Sequence, residues 1–251
     1  MDSADRLLRM GVVTEVLLVT AQYSLAIISP MMKRVCLEAL PAREIHKAVA
    51  AEDPVQLLSV ALAYVNPNTI AHLLVKNRNS PSEAVFYFEL YAVLRDILDK
   101  AGTKKIYPEV KTADTKTRAD ILITNGDRLA YELKVNQLLE KSEINVAAAQ
   151  ADGDKNQFGV QRMLVVNFVP AGHTFDNVYR VETCPTVEIV HVEFSASYDD
   201  FRVFCLREED IPQGEKKKYF GNLQSQFLEK IKCIEVHCLT RLSGNALSHR
   251  K

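Results

Sequence analysis

Two acidic residues and one lysine lie in neighbouring apolar segments, at a spacing that suits a metal ion and a phosphate. Asp120 precedes Ile121-Leu122-Ile123, and Glu132 and Lys134 lie in the segment Leu129–Val135. Residues two apart in a strand point to the same face of a sheet, so Glu132 and Lys134 would share one face. Asp120 joins them if it pairs across a hairpin with Glu132. The pattern therefore predicts two carboxylates and an ammonium group at one position on a sheet.

The turn between the two segments decides whether the acids meet. Direct pairing of Asp120 with Glu132 requires a loop with an odd number of residues, such as 125–127. A two-residue Asn-Gly turn would instead place Tyr131 opposite Asp120 and separate the acids. Hairpin loops of three residues with a glycine bulge are common. We therefore predict an odd loop or a bulge at this turn.

The paired acids have two interpretations. Carboxylates that face each other repel unless a positive group lies between them, and Lys134 alone could supply it in a surface salt-bridge cluster of little energetic value. Alternatively, Mg²⁺ or Mn²⁺ binds there, because hard divalent cations prefer carboxylate oxygen, and the Leu133 carbonyl adds another ligand. Lys134 would then orient or help deprotonate a metal-bound water, while the metal offsets charge developing on a phosphate.

An acidic residue of the preceding predicted helix, 82–100, is a third candidate ligand. Glu89 lies among apolar helical neighbours, where a carboxylate is costly unless a cation or a metal pairs with it. It is therefore a candidate metal ligand, or alternatively a buried partner for Lys134. Glu83 already has a structural role in the sequence, because Ser80-Pro81-Ser82-Glu83 fits a capping box.

Two further polar residues follow the hairpin. Gln150 lies in a predicted helix of small residues, 138–151, and could reach a metal-bound water or a phosphate, or face solvent. His173 follows an apolar segment and receives no role. Gln150 is therefore the only residue of this part that joins the candidate site.

The order of predicted elements indicates an α/β fold from residue 79 onward. A helix is followed by three strands, a second helix and a fourth strand, and then by two strands and a closing helix. The predicted elements are 82–100, 106–111, 119–124, 129–135, 138–151, 163–169, 187–194, 201–206 and 220–233.

Three regions follow from this pattern. Residues 1–78 are predicted to be mostly helical, with two short β-rich runs at 12–20 and 23–28. Residues 79–213 form the predicted core, and residues 214–251 a basic helical tail.

Composition indicates a globular protein without an overall basic character. The 251 residues are 47% hydrophobic and 25% charged, with a net charge of −1, which allows a sizeable core without disulfides or structural metal. The segment 214–251 carries eight Lys or Arg and three acids, a net +5, so the rest of the chain carries −6. This tail is either a solvated face or a patch that attracts phosphate.

The cysteines and the hydropathy pattern bear on location. Five scattered cysteines, an odd number, favour a reducing compartment over a disulfide framework. Cys233, His237 and Cys238 lie close together, but no second pair completes a zinc site. No apolar run reaches the roughly 18 residues that a bilayer requires, and the first residues lack the pattern of a signal peptide. We therefore expect an intracellular protein with no membrane partner.

The candidate residues, on these elements, resemble the motif of the PD-(D/E)XK nuclease superfamily. Its motif is carried here by Glu89, Asp120, Glu132-Leu133-Lys134 and Gln150. The superfamily has a restriction-endonuclease-like αβββαβ core, the order predicted for 82–169. The resemblance implies a metal-dependent endonuclease with Mg²⁺ or Mn²⁺ as cofactor. Its metal ligands would be Asp120, Glu132, Glu89 and Leu133, and its catalytic residues Lys134, Asp120, Glu132 and Gln150.

Two segments, 82–91 and 163–168, are similar to the nuclease domains of Crinkler effectors and related retrotransposon-hotspot proteins. Those domains commonly follow a P-loop NTPase module, and residues 5–40 look like the winged-helix tail of such an NTPase. No G-x-x-x-x-G-K-[ST] motif occurs, so the chain would be a C-terminal fragment or a shortened paralogue. The resemblance implies an effector that cleaves DNA in a host nucleus. RNA as substrate, and a homodimer or an NTPase module as partner, stay open.

Three hypotheses follow. The first is a Mg²⁺-dependent nuclease that acts on DNA. The second is a nuclease-like fold that has lost catalysis and binds a protein or a nucleic acid. The third assigns oligomerisation to the N-terminal region, 1–78.

Overall fold

The structure is a computed structural model that describes most of the central part of the chain. The described residues are 13–17, 23–27, 45, 53–72, 81–102, 105–111, 118–124, 128–136, 138–206 and 231–238. The chain forms two compact units, Met1–Ala42 and Arg43–Lys251.

The first unit contains an antiparallel hairpin. Its strands are β1 (Val13–Leu17) and β2 (Tyr23–Ile27), which coincide with the two predicted β-rich runs. The helices and the winged-helix arrangement predicted for the rest of this unit lie outside the described residues.

The second unit contains four helices and seven strands among the described residues. The helices are α1 (Pro54–Ala63), α2 (Pro67–His72), α3 (Glu83–Ala101) and α4 (Lys141–Phe158). The strands are β3 (Lys105–Lys111), β4 (Arg118–Thr124), β5 (Leu129–Val135), β6 (Arg162–Pro170), β7 (Val187–Phe194), β8 (Asp200–Leu206) and β9 (Ile231–His237). The predicted α/β class and the order helix, three strands, helix, strand are confirmed.

The seven strands form one mixed sheet in chain order, β3-β4-β5-β6-β7-β8-β9. The central strands β5, β6 and β7 are parallel, and the remaining neighbours are antiparallel. Parallel neighbours need a crossover connection, and α4 supplies the one between β5 and β6. The candidate acids thus lie where the antiparallel and parallel parts of the sheet meet.

The two faces of the sheet are covered by different helices. On one face, Leu122 and Ala130 pack in an apolar cluster with Ile144, Ala147 and Ala148 of α4. The small side chains of this helix let it approach the sheet closely, as their pattern predicts.

The other face packs against α1 and α3. Phe86 of α3 stacks on Phe168 of β6 with ring centroids 4.2 Å apart. The Tyr131 hydroxyl of β5 donates a hydrogen bond of 2.8 Å to the Pro54 carbonyl at the start of α1. Burial raises the pKa of Tyr131, so this hydroxyl stays protonated and serves as a donor.

The helices α1 and α2 belong to the same compact unit as the sheet, whereas the sequence pattern assigned them to an N-terminal region ending at residue 78. Asp53 caps α1, accepting a hydrogen bond of 2.9 Å from the Val55 N–H. The Cys238 thiol contacts the Leu62 carbonyl at 3.6 Å, which joins α1 to the end of β9. The apolar side chains of α1 are buried here because they complete the sheet's second face.

The C-terminal region differs from the predicted helical tail. Residues 231–237 form β9, which pairs with β8 along its whole length, and not the last turn of a helix over 220–233. The edge of β8 offers backbone donors and acceptors that a strand can satisfy, and the alternating pattern of Ile234, Glu235 and Val236 suits one. Residues 207–230 and 239–251 lie outside the described residues.

Candidate active site

The register of the β4–β5 hairpin brings the two acids opposite each other. Three pairs define it: Ile121 with Tyr131, Leu122 with Ala130, and Ile123 with Leu129. The connection 124–128 therefore has an odd number of residues, as predicted from the parity of the side chains. Continued by one pair, the same register places Asp120 opposite Glu132.

The strands β4 and β5 separate where Asp120 lies. Over the described residues their ladder ends at Ile121, whereas β4 stays paired with β3 as far as Arg118. Asp120 is buried, with 3% of its surface exposed. Its Oδ2 accepts a hydrogen bond of 2.9 Å from the backbone N–H of Leu133 on β5. The carboxylate therefore bridges the gap between the separating strands.

The Leu133 carbonyl faces the same gap. In an extended strand, the N–H and C=O of one residue point to the same neighbouring strand. Because the Leu133 N–H points at Asp120, the Leu133 carbonyl oxygen lies on the β4 side as well. The gap thus contains a carboxylate and a backbone carbonyl, both of which are ligands for hard cations.

Glu132 and Lys134 form a short ion pair on β5. The Lys134 Nζ lies 2.7 Å from Glu132 Oε1, and Glu132 is only 2% exposed. Burial alone would lower the pKa of Lys134, but the Glu132 charge and hydrogen bond, with smaller effects of Glu83 and Asp120, raise it above its ordinary value. Lys134 is therefore a cation and a hydrogen-bond donor at neutral pH.

Glu83 is the acid of α3 that affects Lys134. The helix begins at Glu83, with Ser82 at its N-cap, so Glu83 is not the third helical residue that the predicted capping box requires. Its charge contributes to the raised pKa of Lys134. The sequence pattern assigned Glu83 a purely structural role, and the structure adds it to the surroundings of the site.

Glu89 is buried, as its apolar helical neighbours predict, and is 4% exposed. Its Oε2 accepts a hydrogen bond of 3.2 Å from the backbone N–H of Asn66, at the start of α2. Its charge also contributes to the raised pKa of Cys238. These contacts place Glu89 beside α2 and β9. Its role as a metal ligand stays a prediction.

Gln150 lies midway along α4 and is exposed to solvent. Its helix packs on the sheet through Ile144, Ala147, Ala148 and Ala151. Nothing in the described part of the chain fixes its side chain near the acids, so its catalytic role also stays a prediction.

A row of polar side chains extends from the site across the parallel strands. Lys134 pairs in register with Asn167 of β6, and Asn167 with His191 of β7. Asn167 is fully buried, and its Nδ2 donates to the Leu138 carbonyl at 2.8 Å and lies 3.1 Å from His191 Nδ1. The signal for this row was a polar residue flanked by apolar ones inside each strand, Asn167 between Val166 and Phe168 and His191 between Val190 and Val192, but neither residue was singled out from the sequence.

His191 is held as a neutral ring. Its Nε2 lies 3.0 Å from the Val178 carbonyl, an acceptor only, so Nε2 carries the proton and Nδ1 accepts from Asn167. Phe175 stacks on the ring with centroids 4.4 Å apart. Burial lowers the pKa of His191 to about 4, although the bond to the Val178 carbonyl acts in the opposite direction. The residue orients Asn167 and stays uncharged at neutral pH.

The donor set of the gap fits a hard divalent cation. Asp120, Glu132 and the Leu133 carbonyl supply oxygen only, the ligand type that Mg²⁺ and Mn²⁺ take. Among the described residues, however, no group of three His, Cys, Asp or Glu side chains is already arranged around a metal position. The two acids and the carbonyl would therefore leave room for waters, as magnesium sites usually do.

Comparison with known proteins identifies no relative. No protein-family model, curated protein or solved structure gives a significant match to the chain. In the described part, no helix is long and apolar enough to cross a membrane.

Proposed function

We propose that the chain is a Mg²⁺-dependent nuclease of the PD-(D/E)XK type that hydrolyses phosphodiester bonds of DNA. The observation that carries this proposal is the hairpin register, which, continued by one pair beyond Ile121, sets Asp120 opposite Glu132, with Lys134 in contact with Glu132. The αβββαβ order around them supports the restriction-endonuclease-like core.

Each residue has a defined part in this reaction. Asp120, Glu132 and the Leu133 carbonyl would hold Mg²⁺ or Mn²⁺, and the bound cation would supply activation of water and stabilisation of charge on the phosphate. The Leu133 N–H fixes the direction of Asp120. Lys134 would orient the attacking water or help to deprotonate it, beside the phosphate.

The surroundings extend the proposal. The segment 214–251, with its net +5, would attract the DNA backbone, whose affinity for proteins depends largely on phosphate contacts. An effector of the Crinkler type acting in a host nucleus, with a homodimer or an NTPase module as partner, belongs to the same proposal. RNA is the alternative substrate, because the site recognises a phosphodiester and not a base.

A second candidate function is a catalytically inactive module that binds a protein or a nucleic acid. The observation in its favour is the 2.7 Å contact of Lys134 with Glu132, which neutralises this acid without a metal. Such a protein would retain its fold and its DNA affinity and would cut nothing.

Incubation with supercoiled plasmid DNA separates the two candidates. The nuclease converts the plasmid to nicked or linear forms in Mg²⁺ or Mn²⁺, and EDTA stops the reaction. A gel-shift measurement in Ca²⁺ reports DNA binding independently of cutting. Binding without metal-dependent cutting would contradict the nuclease and favour the inactive module.

A further inference from the structure

The contact between Lys134 and Glu132 conflicts with metal binding by Glu132. The lysine Nζ lies 2.7 Å from Glu132 Oε1, so a divalent cation bound to either oxygen of this carboxylate would lie close to the ammonium group. A divalent cation and an ammonium group at one carboxylate repel each other strongly at such distances. If the proposed function holds, Lys134 therefore needs a second acceptor within reach of β5.

Asn167 has such an acceptor. It lies beside Lys134 in the register of the parallel strands β5 and β6, whose spacing is about 4.8 Å. Both of its amide hydrogens are engaged, by the Leu138 carbonyl and by His191 Nδ1. Its Oδ1 is buried and accepts no hydrogen bond from the residues that the structure describes. A buried carbonyl oxygen without a donor costs free energy, which a donor that reaches it would recover.

The direction of this oxygen is fixed by the residues behind it. His191 donates to the Val178 carbonyl through Nε2, so its Nδ1 can only accept. A flipped amide would place Oδ1 against two acceptors, Nδ1 and the Leu138 carbonyl. The amide nitrogen therefore faces His191 on β7, and Oδ1 points away from that ring. On the opposite neighbouring strand, β5, the residue in register with Asn167 is Lys134.

We propose that Lys134 has two hydrogen-bond acceptors, Glu132 in the metal-free protein and Asn167 Oδ1 when a divalent cation occupies Glu132. Asn167 is thus a positioning residue, which holds the ammonium group beside the cation without touching the substrate. The proposal rests on the proposed metal site and adds a residue that the motif does not contain.

A crystal structure of the wild-type protein grown with Mn²⁺ tests this without any variant. We expect Mn²⁺ on Asp120 and Glu132, with Lys134 Nζ within about 3.2 Å of Asn167 Oδ1. Mn²⁺ on the acids with Nζ still on Glu132, or turned to solvent, would overturn the role of Asn167 and leave the metal site intact. A site free of Mn²⁺ would contradict the metal site and this proposal together.

Calorimetric titration with Mn²⁺ gives a second, quantitative test. We expect Asn167→Leu to weaken Mn²⁺ binding about tenfold, because the displaced ammonium group loses a charge-assisted hydrogen bond. In the Lys134→Met background, the same substitution should leave Mn²⁺ affinity unchanged, since no ammonium group is displaced. An equal effect in both backgrounds, or none in either, would show that Asn167 does not act through Lys134.

Discussion

Asp120 Oδ2 accepts a hydrogen bond of 2.9 Å from the backbone N–H of Leu133, across the gap between β4 and β5. The hydrogen-bonded ladder between the two strands ends at Ile121. The Asp120 carboxylate therefore accepts the hydrogen bond that a backbone carbonyl of β4 would accept if the ladder continued. The buried Asp120 side chain thus provides a hydrogen-bond acceptor for a backbone N–H of β5 and supplies negative charge to the candidate site. The two roles can be separated by substitution.

Asp120→Asn should remove activity and preserve the fold. The amide oxygen can still accept from the Leu133 N–H, but the negative charge that a cation needs is lost. We expect DNA cleavage to fall by about a thousandfold or more, with the loss of metal-assisted charge stabilisation. Thermal unfolding should change little.

Asp120→Ala is the matched control for the structural role. It leaves the Leu133 N–H buried without its acceptor, which costs about 1–3 kcal/mol of unfolding free energy. Urea denaturation measures both variants. Equal destabilisation of the two would show that the charge, and not the hydrogen bond, supports the fold.

Lys134→Met should destabilise the protein in a pH-dependent way. Lys134→Met takes the ammonium group at 2.7 Å away from the buried Glu132 carboxylate, and breaking a buried pair in this way costs about 3–5 kcal/mol at neutral pH. Protonation relieves a buried carboxylate that has lost this counter-charge, so the variant regains stability as the pH is lowered. Urea denaturation at several pH values checks this.

The double variant Lys134→Met with Glu132→Gln is the control, because the glutamine carries no charge. It should be more stable at pH 7 than Lys134→Met alone and show a smaller dependence on pH. If the single variant instead keeps wild-type stability at neutral pH, the pair is not buried as described.

His191 should make the protein less stable in mild acid. Its pKa is about 4 in the folded protein, against an ordinary value of 6.5, with burial as the main cause. The unfolded chain therefore takes up a proton below 6.5, while the folded protein does not until about pH 4. Stability is complete above 6.5 and falls as the pH drops toward 4, by up to about 3 kcal/mol from this group.

His191→Gln removes this titration. We expect the difference in unfolding free energy between the wild type and this variant to shrink as the pH is lowered from 7 to 4. A difference that stays constant over this range would mean that His191 is not held neutral.

Tyr131→Phe should loosen the contact between β5 and α1. The buried hydroxyl donates to the Pro54 carbonyl, and its removal leaves that carbonyl without this donor. We expect a loss of about 1–2 kcal/mol in unfolding free energy and an unchanged cleavage rate per folded molecule. Unchanged stability would indicate that α1 does not depend on this contact to pack on the sheet.

The fold of the central region could be predicted because its signals are local. Parity left two registers open at the hairpin, and the predicted odd loop, which sets Asp120 opposite Glu132, agrees with the observed pairing. Strand β9 could not be predicted, because its pairing with β8 joins distant parts of the chain and the preceding residues favour a helix.

The candidate site was predicted in part for the same reason. Asp120, Glu132 and Lys134 follow from spacing, whereas the side of α3 that meets them depends on how the helix packs. That packing brings the charge of Glu83 close enough to Lys134 to affect the lysine pKa. It also brings Glu89 within hydrogen-bond distance of the Asn66 N–H. Asn167 and His191 lie on parallel strands that are joined by a crossover connection. The alternation of side chains within one strand therefore cannot predict their contact.

The rate of plasmid cleavage by Glu132→Gln, compared with that by Glu188→Gln, tests the central claim most directly. Glu188 is a matched control, because it also pairs with a cation of the sheet, Arg162 at 2.9 Å, but on strands away from the gap. In Mg²⁺, Glu132→Gln should lose at least about a thousandfold in rate, while Glu188→Gln should cut like the wild type. Cleavage by Glu132→Gln at the wild-type rate, or no metal-dependent cleavage by the wild type itself, would contradict the account.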